Sequence, residues 1–192
     1  MIHFTSDHHF WHANVIRFCD RPYKDVEEMN EALVRNWNEV VKPEDTVYYL
    51  GDFAMAFRPV ELYTKRLNGR KILIAGNHDW CFPGHKKSNT PEKAVNVQQK
   101  YLDAGWEQIL IGDCITIGDK VVNMSHFPYK GDVPDTRFDD YRIEDEGDWL
   151  LCGHVHDSWQ TKGKMINVGC DVWDYKPVSI DTIRDIINGS KK

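Results

Sequence analysis

A chain of 192 residues, 41% hydrophobic and 12% aromatic, can close one sizeable core and is too aromatic to stay disordered. It has no apolar run near the roughly 20 residues of a membrane helix, and its start, MIHFTSDHHF, lacks the basic and apolar regions of a secretion signal. The formal charge of −6 resides in residues 131–148, which hold eight acids and two bases and read as a solvated loop; a basic stripe for gripping duplex nucleic acid is not visible.

Short apolar strands alternate with amphipathic helices along the chain. Ile2–Ser6 reads as a strand. Residues Val26–Val41 read as a helix, with Met29, Leu33, Val34, Trp37 and Val40 at helical spacing and Lys42-Pro43 ending it. TVYYLGD (46–52) is a buried strand running into a Gly-Asp turn. A helix over Pro59–Leu67 stops at Asn68-Gly69, and KILIAGNHD (71–79) is a second strand with a polar end. Pro91–Ala104 is a helix. Trp106–Ile111, Cys114–Ile117 and Lys120–Ser125 read as consecutive strands joined by Gly-Asp turns at 112–113 and 118–119. Trp149–Cys152 and Lys164–Val168 are further strands, and Ile180–Ile187 is a closing helix. This order predicts a single domain over residues 1–192 with a layered α/β fold, mixed β-sheets between helices, parallel strands first and antiparallel ones later. Five widely spaced Cys (19, 81, 114, 152, 170), with no CxxC, read as reduced, mostly buried thiols of a cytoplasmic protein.

The polar clusters each follow an apolar strand. Asp7 and His9 follow IHFTS, Asp52 follows VYYLG, Asn77-His78-Asp79 follows ILIAG, His126 follows VVNMS, and Gly153-His154-Val155-His156 follows DWLLC. Ligand sites of open α/β sheets gather at the carboxyl ends of strands, so five strand ends are expected to deliver these groups to one edge. In extended chain, residues two apart point the same way. Asp7 and His9 then share a face with His8 turned away, and His154 and His156 share a face with Val155 turned to the core. Carboxylate plus imidazole suits Mn²⁺, Fe, Zn²⁺, Ni²⁺ or Co²⁺ better than Ca²⁺. Asp7, His9, Asp52, Asn77, His126, His154 and His156 are seven candidate ligands. One four-coordinate metal cannot use seven; two metals sharing a carboxylate can.

Taken singly, Asp52 reads equally as a helix cap or turn residue, and GNHD as a polar turn. Taken jointly and in order, Asp7-His8-His9, Gly51-Asp52, Gly76-Asn77-His78-Asp79, His126 and Gly153-His154-Val155-His156 give D-x-H, G-D, G-N-H-D, H and G-H-x-H. In this the chain resembles the calcineurin-like metallophosphoesterases. S-D-x-H-F-x-H-x-N at Ser6–Asn14 and N-V-G-x-D-V-W at Asn167–Trp173 resemble its small bacterial and phage branch. The resemblance implies two divalent metal ions, Mn favoured, with Fe, Zn, Ni, Co or Mg as alternatives. Asp7, His9 and His156 would hold the first and Asn77, His126 and His154 the second, with Asp52 bridging. A water acidified by the two cations would attack phosphorus in line. The catalytic pair implied is His78, facing the leaving oxygen, and Asp79, orienting His78 through its second nitrogen.

His12 and Asn14 belong to the branch pattern and read either as phosphate contacts or as a helix start. Arg17 and Arg21 offer bidentate phosphate contacts or plain surface positions. Trp173–Tyr175 reads as packing. The expected partner is a small phosphate ester, mono- or diester, with no membrane; oligomeric state is left open. A nuclease is the first alternative, which the charge disfavours. A non-catalytic scaffold of the same fold is the second, and such a chain would be expected to lack ligands that this one keeps.

Overall fold

The computed structural model describes residues 1–129 and 138–189. The chain runs β1 (Ile2–Thr5), α1 (Ala13–Phe18), α2 (Val26–Val40), β2 (Thr46–Tyr49), α3 (Phe57–Tyr63), β3 (Arg70–Ile74), α4 (Pro91–Ala104), β4 (Gln108–Leu110), β5 (Gly112–Ile117), β6 (Lys120–Ser125), β7 (Trp149–Cys152), β8 (Thr161–Lys162), β9 (Met165–Asn167), β10 (Val178–Ser179) and α5 (Ile180–Ile187). These form two five-stranded sheets, in the orders β10-β1-β2-β3-β4 and β5-β6-β7-β9-β8. The first is parallel except for its edge strand β10, and the second is mixed. The α/β architecture expected from the element order is what the chain adopts.

Alternation along the strands of the first sheet sends side chains to both faces. Val47, Tyr49 and Leu73 pack into a core with Met29, Leu33 and Trp37 of α2 and with α3 and α4. Phe4, Leu50 and Ile74 face the other way, against Val122, Met124, Leu151 and Ile166 of the second sheet and Ile183 of α5. A parallel sheet covered on both faces is the usual outcome of helical crossovers. Helix starts are specified locally. Asp25 accepts from the Glu28 N–H at 2.8 Å, and Thr90 accepts from the Lys93 N–H with Pro91 at the first position.

Register places the site. Thr5 lies beside Tyr49, and Tyr49 beside Leu73, so β1, β2 and β3 end level. Met124 pairs with Leu151, so β6 and β7 also end together. A bridge between Ser6 and Gly169 and a hydrogen bond from Cys170 N–H to the Ser6 carbonyl (3.1 Å) draw the two sheets' ends to one edge, while Gly153 N–H bonds the His126 carbonyl (3.0 Å) between the ends of β6 and β7.

Some expected boundaries differ. The strand expected to run into a Gly-Asp turn within 46–52 ends at Tyr49, one residue early, and Gly51 (φ 88°) and Asp52 (φ 60°) leave the extended region where that turn is expected. The Gly-Asp pair at 112–113 is not a turn. It lies inside β5, and the chain changes sheets just before it, since β4 pairs with β3. The pair at 118–119 does turn the β5–β6 hairpin. Helix α1, six residues long, is too short for a periodic signal. Residues 131–137 of the acidic segment lie outside the described residues; Asp139, Asp140 and Glu144–Glu146 are exposed, as expected. No helix among the described residues is long and apolar enough to cross a membrane.

Candidate metal centre

All seven candidate ligands follow strand ends, and the structure brings them to one cluster. Asp7, His9 and His156 place donor atoms within 4.8 Å of one another, and Asp52, His126 and His154 do the same. The local backbone is not the extended chain that the period-two reading assumed. Asp7 (59°), His9 (51°), Asp52 (60°), His154 (71°) and His156 (48°) all have positive φ. Side chains two apart therefore converge through left-handed kinks rather than a strand pleat. Asp and His tolerate this region better than bulky or β-branched residues do. His8, between two kinks, turns into the aromatic core as expected, its Nδ1 2.9 Å from the Tyr49 hydroxyl. Burial, then the nearby Arg21 charge, pushes the His8 imidazole down to about 3, so it is neutral.

The carboxylates are aimed by fixed donors. Asp7 Oδ2 accepts from the Ser6 hydroxyl at 2.6 Å, the His154 N–H is shared between Oδ2 (3.0 Å) and Oδ1 (3.2 Å), and Oδ1 lies 4.0 Å from His156 Nε2. Asp52 Oδ1 accepts from the His78 N–H at 2.9 Å. Its Oδ2 faces His126 Nε2 at 3.5 Å, His9 Nε2 at 3.6 Å and His78 Nε2 at 3.9 Å. Burial alone would raise Asp52, but the imidazoles, His126 foremost, hold it well below the usual carboxylate range. His126 Nδ1 lies 2.7 Å from the Leu50 carbonyl, which only accepts, so Nδ1 carries the proton and Nε2 turns inward. Asn77 Oδ1 lies 3.2 Å from that Nε2.

The donor set fits divalent cations. His9 is 2% exposed, yet neither ring nitrogen has a hydrogen-bond partner. Asp7 and Asp52 are carboxylates at 0% and 1% exposure, and among the described residues no Lys or Arg side chain is ion-paired with them. Buried carboxylates and orphaned imidazole nitrogens are costly alone and favourable as ligands. Two glycines make room. A Cβ on Gly76 would collide with Asp52 Oδ1, and one on Gly153 would lie 2.5 Å from Asp7 Oδ2.

Asp79 does not do what was expected of it. Its oxygens accept from the N–H groups of Asp52 (2.9 Å), Gly76 (2.9 Å) and Phe53 (3.1 Å). They are used up holding the β2 and β3 end loops together rather than orienting His78. His78 sits at the mouth of the cleft with its side chain 40% exposed. His12 lines the same cleft, its ring 5.6 Å from His9. Asn14 does not: it is exposed, 3.5 Å from Arg17, and outside the cleft lining. Trp173–Tyr175 packs as expected, Trp173 donating to the Asn167 carbonyl and Tyr175 edge-on to Tyr23.

Sequence reasoning missed Asp171 and misplaced Arg21. Arg21 faces no substrate space: its side chain is 0% exposed and grips Asp171 by two bonds of 2.7 and 2.9 Å. Its remaining N–H groups donate to the Asp7 and His8 carbonyls at 2.7 and 2.8 Å, pinning the first kink. Asp171 Oδ2 lies 3.5 Å from His156 Nδ1, and Cys19 Sγ lies 3.4 Å from it. Burial opposes charge on His156, but Asp171, Cys19 and Asp7 together lift it to about 11. Cys19, His156 and Asp171 also lie close enough to share an ion. The Arg21 guanidinium against Asp171 opposes a cation there, so this trio orients His156 Nε2 toward Asp7. The signal available in the sequence was the N-V-G-x-D-V-W stretch, whose Asp is Asp171.

Comparison with known proteins agrees with the geometry. The calcineurin-like phosphoesterase family model matches residues 1–158. An uncharacterized Methanocaldococcus jannaschii protein, MJ1445, is 32% identical over 99% of this chain and 93% of its own length. The gene 66 protein of Mycobacterium phage L5 is 33% identical over 96% of this chain and 93% of its own. The crystal structure of AQ665 from Aquifex aeolicus, a protein of unknown function, superposes with a TM-score of 0.70 at 30% identity, covering 97% of this chain and 98% of that one.

Proposed function

The chain belongs to the calcineurin-like phosphoesterases, and we propose that it is a dinuclear metal-dependent hydrolase of a small phosphate ester. The observation that carries this is Asp52 Oδ2, which faces His9 of one ligand group and His126 of the other at 3.6 and 3.5 Å. A carboxylate oxygen so placed is the natural bridge between two cations. Asp7, His9 and His156 would hold one cation, and Asn77, His126 and His154 the other, with Mn²⁺ favoured by the mixed donor set. Such a pair supplies Lewis acidity, lowering the pKa of a water and neutralising charge on phosphoryl oxygens.

The chain's own groups do the rest. The Leu50 carbonyl and Asp171 fix which nitrogens of His126 and His156 face inward. His78 Nε2, 3.9 Å from Asp52 Oδ2 at the mouth of the cleft, is placed to give a proton to the departing oxygen. Asp79 keeps His78 in place indirectly, by tying the loop that carries it to Asp52. The test is metal content of the purified protein alongside hydrolysis of chromogenic esters with Mn²⁺. About two equivalents are expected, as two-metal sites require. Asp52→Asn is expected to abolish turnover with loss of metal. A fully active Asp52→Asn protein, or activity that survives chelation, overturns the reading.

One observation supports a nuclease as a second reading. Lys86, Lys87, Lys93 and Lys100, with Glu92 among them, line one groove of about 540 Å³ beside α4. Lys87 Nζ lies 4.7 Å from the Trp80 ring centroid, next to the His78 loop. This reading requires salt-dependent binding of single- or double-stranded oligonucleotides; no binding at low salt removes it.

A further inference from the structure

We propose that the cleft over the ligand cluster contains a subsite for an aromatic or comparably apolar substituent, and that its substrates are phosphodiesters bearing one. This rests on the hydrolase reading and names its substrate class. The cleft measures about 590 Å³ and is lined both by His9, His154 and His156 of the cluster and by an apolar wall of Val15, Phe18, Met55 and Val155. Val15 and Phe18 lie three apart on α1 and so present one face of that helix to the cleft. Met55 comes from the loop after β2, the loop that carries Asp52.

Phe18 is 73% exposed and Met55 42% exposed, so neither is filling a core. Phe18 packs edge-on to His12 with ring centroids 6.3 Å apart, and His12 in turn lies 5.6 Å from His9. A phosphate seated at the cluster therefore directs its organic group along this row of rings. Aromatic partners favour centroid separations of about 4.5–7 Å, edge-on or offset, which is the spacing the row already uses.

The make-up of the wall selects the ester type. Among the described residues lining the cleft there is no Lys or Arg, and the one carboxylate outside the ligand set is Asp157. The cations would meet the charge of the reacting phosphoryl group, but the further phosphates of a polyphosphate would find no cation on such a wall. A diester carries a second organic group, which the wall does meet.

The test uses metal-loaded full-length protein and reads binding and turnover separately. Diphenyl phosphate is expected to bind about tenfold tighter than dimethyl phosphate, the scale of one well-placed apolar contact. Phe18→Ala and Met55→Ala are each expected to erase most of that ratio, whereas Val95→Ala, on exposed α4 surface, retains it. Bis(4-nitrophenyl) phosphate is expected to turn over with a higher kcat/KM than 4-nitrophenyl phosphate. A ratio near one, or one unmoved in both wall variants, overturns the subsite. A monoester preference overturns the diester class. If neither chromogenic ester is hydrolysed while the binding ratio holds, the hydrolase reading falls and the subsite stands.

Discussion

Asp171→Asn tests the link between a buried ion pair and the first metal position. Asp171 accepts two bonds from Arg21, at 2.7 and 2.9 Å, between side chains 1% and 0% exposed, and faces His156 Nδ1 at 3.5 Å. The amide keeps the shape but removes the negative charge and turns one acceptor into a donor. Weakening charge-assisted bonds costs about 1.5–3 kcal/mol each. At about 2–4 °C per kcal/mol in a chain of this size, loss of both bonds is expected to lower Tm of the metal-free protein by roughly 6–24 °C. Loss of a residue that orients a ligand typically costs about 10–100-fold in metal affinity, so calorimetric titration with Mn²⁺ is expected to show one weakened site and one intact. A double variant, Arg21→Met with Asp171→Leu, removes the ion pair but also strands the Asp7 and His8 carbonyls that Arg21 holds. Replacing both partners of a buried pair by apolar groups is often neutral or stabilising, so Tm is expected to recover in part while the weak metal site persists. If both variants bind Mn²⁺ as tightly as the wild type, Asp171 does not position His156 and the reasoning fails.

His78→Ala is expected to lower turnover by about 10²–10⁴-fold, the usual worth of a positioned acid, with metal content nearly intact; loss of both metals would make His78 structural instead. Asp79→Ala strands the N–H groups of Asp52, Phe53 and Gly76, at about 1–3 kcal/mol each, so chemical denaturation is expected to show a loss of several kcal/mol. An Asp79→Ala protein of normal stability but altered pH–rate profile would restore the role of orienting His78. Gly153 does not have positive φ, so Gly153→Ala reports the close approach of Asp7 and of Ser6, the residue that donates to Asp7, rather than a forbidden backbone. It is expected to weaken one metal site, read by titration, and an unchanged affinity would show that Asp7 can yield without cost.

Much of the site was legible because its ligands are local events. Each sits within a few residues of a strand's end, and strand ends are readable from apolar runs bounded by Gly, Asn and Asp. The strands that carry His126 and His154, β6 and β7, and the helix α4 match their expected spans at both ends. What was not legible joins distant positions. Arg21 and Asp171 are 150 residues apart, and Asp79 reaches back 27 residues to the Asp52 N–H. No periodicity announces such pairs. An Arg near a predicted phosphate site reads as a phosphate ligand, and an Asp following a His reads as its orienting partner, until burial and partners are known.

Those two long-range groups explain how the ligands keep an unfavourable backbone. A left-handed turn costs an ordinary L-residue about 1–2 kcal/mol, and five of the seven ligands have one. That is a large share of a net stability of about 5–15 kcal/mol, so fixed partners must hold the kinks. The charge type matches the backbone group left over in each. At Asp7 and His8 the exposed groups are carbonyls, and a guanidinium takes them. At Asp52, Phe53 and Gly76 they are N–H groups, and a carboxylate takes them. Each charge then has its own arrangement: Arg21 is balanced by Asp171, which turns to His156, while Asp79 has no Lys or Arg side-chain partner among the described residues. Burial and the Asp52 charge raise Asp79 to about 7 against the pull of its N–H donors. Cations bound beside Asp52 would relieve that repulsion, so the loop clamp at Asp79 and an occupied candidate metal centre would stabilise one another.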